Sequence, residues 1–119
     1  MITLDSTTKK LQVVLAGNVT TNQLVVNVVW TDENIEGVDT KYASKQSVTN
    51  QTTDVDICDA PQQNFTRNIE TITVYNADTV AATITVKIDN GGTETILFKQ
   101  ALNAGETFLL EHGAGAQVL

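Results

Sequence analysis

Ile69-Glu-Thr-Ile-Thr-Val-Tyr75 and Ala82-Thr-Ile-Thr-Val-Lys-Ile88 decide the fold class. In the first stretch Ile72 and Val74 point one way and Thr71, Thr73 and Tyr75 the other. In the second, Ile84, Val86 and Ile88 share a face opposite Thr83, Thr85 and Lys87. A period of two with β-branched residues at most positions is the pattern of a half-buried strand, because two heavy atoms on Cβ suit a pleated sheet better than a helix. Asn76-Ala-Asp78-Thr79 lies between them as a turn in which Asn and Asp bond nearby backbone, and Asp89-Asn-Gly-Gly92 supplies a hairpin.

Working outward, Thr95–Gln100, Thr107–Glu111 and Gln117–Leu119 read as further strands, separated by the turns Asn103-Ala-Gly-Glu106 and His112-Gly-Ala-Gly115. The C-terminal half is therefore a meander of short strands. Leu11–Leu15, Leu24–Trp30 and Asp54–Cys58 are strands of the first half. Leu24–Trp30 is almost continuously apolar, which predicts burial on both faces or in an interface. Asp39–Thr53 is polar, with Tyr42 and Val48 its only sizeable apolar residues, and reads as a long loop or extended arm ordered by packing on something else. Pro61 marks the crossover between the halves. Strands spaced by about eight to twelve residues, with no helical pattern, predict an all-β fold. The expectation is a single-domain antiparallel β-sandwich or small barrel over residues 11–119, with 1–10 an N-terminal arm and 39–53 a polar loop or arm.

The chain has 119 residues, enough for one domain without disulfides or metal. Its single cysteine, Cys58, cannot form an internal disulfide, which slightly favours a reducing compartment. Seven Lys and Arg against fourteen Asp and Glu give a net charge of −7, and Lys9-Lys10 is the only adjacent basic pair. That balance excludes nucleic acid and an anionic membrane as expected partners. Leu11–Ala16, the only apolar run near the N-terminus, is far short of a membrane span and reads as a strand instead of a signal core. The three Asn-x-Thr sequons at Asn18, Asn50 and Asn64 are expected by chance in so Asn- and Thr-rich a chain.

Candidate chemistry is sparse. Asp54, Asp56 and Asp59, with Asp89 and Asn90, offer hard oxygen ligands for calcium, but the spacing of a calcium loop is missing and solvent-facing carboxylates are the ordinary outcome. Cys58 and His112 suit a thiolate–imidazole pair by type alone; a lone cysteine beside Ile57 is more often a small buried hydrophobe, and a histidine in a Gly-rich turn a surface residue. Trp30, Tyr42 and Tyr75 can stack on sugars or bases, with core or interface packing the commoner use. Gly91-Gly92 and Gly113-Ala-Gly115 lie in hairpin turns with no following helix, so they make no phosphate cradle. No catalytic, cofactor-binding or metal residue is assigned, and no cofactor or enzymatic activity is expected.

Order and spacing supply the functional lead. Ile72-Thr-Val-Tyr-Asn-Ala-Asp-Thr79, the strand Ala82–Ile88, Gly91-Gly-Thr-Glu-Thr-Ile-Leu97 and Leu102-Asn-Ala-Gly-Glu-Thr-Phe108, led by Leu11–Gly17 and Thr20-Thr-Asn-Gln-Leu24, resemble a module of tailed-phage and prophage structural proteins. The chain departs from it at Ala116, where the family tends to place an aromatic after the last glycine. The resemblance implies a β-sandwich or β-tulip-like capsid decoration (cement) protein. Such a protein is made in the host cytoplasm and binds the major capsid protein on the outer face of a phage head as a homo-oligomer, typically a trimer. A tail or fibre-attachment adaptor, and a carbohydrate- or calcium-dependent binding module exposing Trp30 or Asp54 and Asp56, are the alternatives. A monomer of this mass exposes about 6,300 Å², against roughly 800 Å² per partner for a specific interface.

Overall fold

A computed structural model describes residues 2–37 and 39–119. Ten strands and no helix occur among them: β1 (Ile2–Leu4), β2 (Lys9–Leu15), β3 (Val25–Asn34), β4 (Thr40–Val48), β5 (Val55–Cys58), β6 (Phe65–Tyr75), β7 (Ala82–Asn90), β8 (Thr93–Leu102), β9 (Thr107–Glu111) and β10 (Gly115–Val118). Every strand pairing is antiparallel. One sheet runs β10-β9-β6-β3-β4, and β1 extends the line of β9 along the same edge of β6; the other runs β5-β2-β7-β8. The two sheets pack face to face as a β-sandwich.

The inner faces carry the core. Val26, Val28, Ile72 and Val74 from the first sheet are fully buried with Leu11, Val13, Ile84 and Val86 from the second. Phe98 and Phe108 close one side with their rings tilted 5.5 Å apart. Ile69 is buried as well, although it and Ile72 differ in strand parity. A bulge resolves this: Trp30 pairs with Ile69 and Val29 with Thr71, so Glu70 is the extra residue, and the alternation resets across it. The β7–β8 hairpin turns on Gly91 and Gly92, both at positive φ (61° and 101°), which a two-residue hairpin requires and only glycine adopts freely.

Three expectations need correction. Residues 1–10 do not form a free arm. Ile2–Leu4 is a strand registered on Arg67–Ile69, and Leu4 is wholly buried, so its apolar side chain ties the segment down; Met1 lies outside the described residues. The polar stretch 39–53 is not mainly a loop, because Thr40–Val48 pairs along its full length with Glu33–Val25. An edge strand that overhangs the core needs backbone partners more than apolar side chains, which is why its composition concealed it. Finally, of the two alternatives read for β3, burial on both faces does not hold within the chain, which leaves the interface. Val26, Val28 and Trp30 face inward, while Asn27 is exposed and Val29 is 38% exposed. The accessible surface, 6223 Å², matches the roughly 6,300 Å² expected of a compact monomer of this mass, so the chain packs its own segments without help.

Candidate interaction surface

Three of the motifs that carry the resemblance, around Thr20–Leu24, Asn76–Thr79 and Leu102–Glu106, meet at one end of the sandwich in a polar knot joining four loops, whereas the Gly91-Gly92 hairpin lies at the other end. Asn76 is fully buried. Its Nδ2 donates to the carbonyls of Val80 and Leu102, both at 3.0 Å, and its Oδ1 accepts from the Asp78 amide at 3.0 Å. Its own amide donates to the Glu106 carbonyl, and its carbonyl accepts from Gly105, so the Asn103–Glu106 turn is fastened to it. Asp78 accepts the amides of Thr20, Thr21, Asn22 and Thr79 at 2.8–3.1 Å. Those backbone donors, Thr20 first, hold its carboxyl down at about 2.

Gln51 completes the knot. It sits in the left-handed region (φ 54°), and three of its groups bind the end of β2 and the loop that follows it: its amide donates to Gln23 Oε1, its carbonyl accepts from Leu15, and its Oε1 accepts from Val19. Surroundings that fix a residue in this way are what keeps such a backbone conformation in place. Asn76 and Asp78 are thus committed to architecture, as are the backbone and Oε1 of Gln51.

The opposite end has a second cluster, which the residue types alone did not signal. Arg67 forks onto Asp32 through Nε (2.8 Å) and Nη2 (2.9 Å), donates to the Asp59 carbonyl at 2.7 Å, and lies 4.6 Å from the Trp30 ring centre. A bidentate pair stacked on an aromatic is the arrangement that suits guanidinium. Cys58 lies beneath it, fully buried, with burial pushing its thiol up to about 11. It behaves as the expected small hydrophobe. Its polar contacts are Arg67 and Asp59, whereas His112 lies in the exposed β9–β10 turn of the other sheet, so the structure brings no thiolate–imidazole pair together. Trp30 is only 8% exposed and covered by Arg67, which removes it as a platform for sugars.

The two outer faces differ in charge. On the four-stranded sheet, Lys87 is buried yet pairs with Asp54 (2.8 Å) and Glu94 (2.9 Å), while Asp56 takes Lys10 (3.1 Å) and Gln12 (2.8 Å). Of the residues considered for calcium, Asp54 and Asp56 are thus paired with lysines, Asp59 lies 3.7 Å from Lys45, Asp89 accepts the Gly92 amide and Asn90 accepts from Thr8. Among the described residues no group of three or more His, Cys, Asp or Glu could hold a metal.

On the other sheet, the outer side chains form rows that follow from the register: Val48–Val25–Tyr75–Thr107, then Gln46–Asn27–Thr73–Leu109–Gln117, then Ser44–Val29–Thr71. Not one of these is charged, and Glu111 stands only at the corner of the third row. Tyr75 is 44% exposed and Val48 54%, and Tyr42 projects in the next row. Beyond the Glu70 bulge the face becomes a polar depression lined by Thr31, Glu33, Asn68, Glu70 and His112. A narrower apolar cleft of about 220 Å³ opens at the sandwich edge between Ile2, Ile69, Phe98 and Leu110.

What this molecule presents is a charged face, an uncharged face spotted with valine and tyrosine, and at one end a knot of loops fastened by Asn76 and Asp78. In comparisons with family models, with curated proteins and with solved structures, nothing matches the chain.

Proposed function

We propose that this chain is a non-catalytic assembly component, a capsid decoration protein that binds the outer shell of a phage head as a homo-oligomer and stabilises it. The carrying observation is the charge partition between the two outer faces. A protein of net charge −7 that withholds every carboxylate from most of one sheet face has one surface suited to protein contact and others suited to water. The resemblance adds the head location and self-association. Its motif residues build the knot that fixes the loops, as expected of a rigid part used in many copies.

The sugar-binding alternative loses Trp30 to burial, and the calcium alternative loses Asp54 and Asp56 to their lysines. Counting copies of the chain against the major capsid protein in purified particles tests the proposal. A number that scales with the shell's capsomers is expected. A fixed low number would point to the tail or fibre adaptor, and absence from particles would overturn a virion role.

A further inference from the structure

We propose that the uncharged outer face of the β10-β9-β6-β3-β4 sheet receives the same face of a second copy, giving a two-fold dimer. The inference rests on the reading of the chain as an assembly component and names the partner of its contact surface.

Charge selects the occupant. Two bodies of −7 repel each other through nearly any pair of surfaces, and this patch lets them touch while their carboxylates stay outside the contact. Side-chain chemistry agrees. Asn27, Gln46 and Thr73 each carry both a donor and an acceptor, so each can satisfy its own counterpart across a two-fold axis. Val29 and Tyr75 supply apolar area beside them. A partner of opposite charge would find nothing here to pair with, whereas an identical patch brings the same uncharged donors and acceptors in a reciprocal contact. Sheet faces also stack readily, at about 10 Å and about −30°.

Area sets the strength. The twelve outer residues of the three rows, each occupying about 4.8 Å across the strands and about 6.8 Å along them, cover roughly 400 Å² in projection. Two such faces reach about 800 Å² before side-chain relief is counted, the range of a weak, concentration-dependent contact. Salt gives the contact a sign of its own. It holds no ion pair to be screened while the bodies still repel, so added salt strengthens it; a contact held by ion pairs would weaken.

Sedimentation equilibrium of the purified chain at low and high salt, beside Val29→Glu, Asn27→Asp and the opposite-face control Ile96→Glu, tests this. All three positions are exposed, and thermal melts confirm that each variant folds. The expected result is a monomer–dimer equilibrium that tightens with salt, is weakened about tenfold or more by Val29→Glu and Asn27→Asp, and is unmoved by Ile96→Glu. A monomer at all concentrations, a trimer, a dimer indifferent to both patch variants, or one that salt dissolves would overturn it. Copy counting in particles is independent of this experiment, so a monomer still present in virions would refute the contact and leave the decoration reading standing.

Discussion

Replacing Asn76 with alanine removes three hydrogen bonds at a fully buried site, the donations to Val80 and Leu102 and the acceptance from Asp78. At a net contribution of about 1 kcal/mol each, the loss is about 3 kcal/mol, rising to about 5 if the abandoned carbonyls and amide stay dry. A chain of this length has a total stability of roughly 6 to 18 kcal/mol, so the variant folds but with a large part of its margin gone. At about 4 °C per kcal/mol for a domain of this size, the midpoint falls by about 12 °C or more. Urea unfolding followed by circular dichroism measures this, with an unchanged slope showing that the same surface is exposed on unfolding. Asn76→Asp keeps the acceptor but loses both donations and faces two carbonyls with a charge, so it should be at least as damaging. Asn103→Ala, at an exposed turn position, should cost under about 1 kcal/mol. A loss below about 1 kcal/mol for Asn76→Ala would refute the claim that the knot holds the loops together.

Other outcomes follow from the same contacts. Asp78 titrates at about 2 in the folded chain against 3.8 ordinarily, so its contribution is complete above about pH 4 and fades as pH falls toward 2; the gap in melting temperature between wild type and Asp78→Asn, clear at neutral pH, should close across that window. A constant gap would mean that the carboxylate charge is not what the amides hold. Cys58, buried with its thiol pushed up to about 11, should resist alkylation at pH 8 until denaturant is added, and rapid labelling of the native chain would contradict its burial. Lys87→Met should change stability by no more than about 1 kcal/mol, because an apolar stem replaces a similar one and the half-exposed carboxylates of Asp54 and Glu94 return to water; a loss of several kcal/mol would show that the pairs matter more than the geometry indicates.

The alternation of Ile72 with Val74 and of Ile84 with Val86 made the strands legible, because burial on one face imposes a period of two that needs no tertiary knowledge. Legibility failed where burial did not set the residue type. β4 is held by backbone pairing at an edge, so Lys41, Gln46 and Ser47 looked like a loop. Lys87 was placed on the correct outer face, yet its burial depends on Asp54 and Glu94 arriving from other strands. The Asn76–Thr79 stretch was readable as a turn through local Asx chemistry, but its bonds to Thr20–Asn22 span 56 to 58 residues and leave no local trace. Arg67 was invisible for the same reason, its partners Asp32 and Trp30 lying 35 residues or more away in sequence. The uncharged face was partly signalled by the apolar run of β3, whose second side needed somewhere to go. Only the register of five strands shows that its neighbours are uncharged too.

The central claim, that the uncharged sheet face is the adhesive side of an assembly component, is tested most directly by locating the chain in a density map of particles that carry it. The predicted result is that Val25, Asn27, Val29 and Tyr75 lie against protein while Lys87, Asp56 and Glu94 face solvent. A map in which the charged sheet is buried and the uncharged face lies open to water would contradict it.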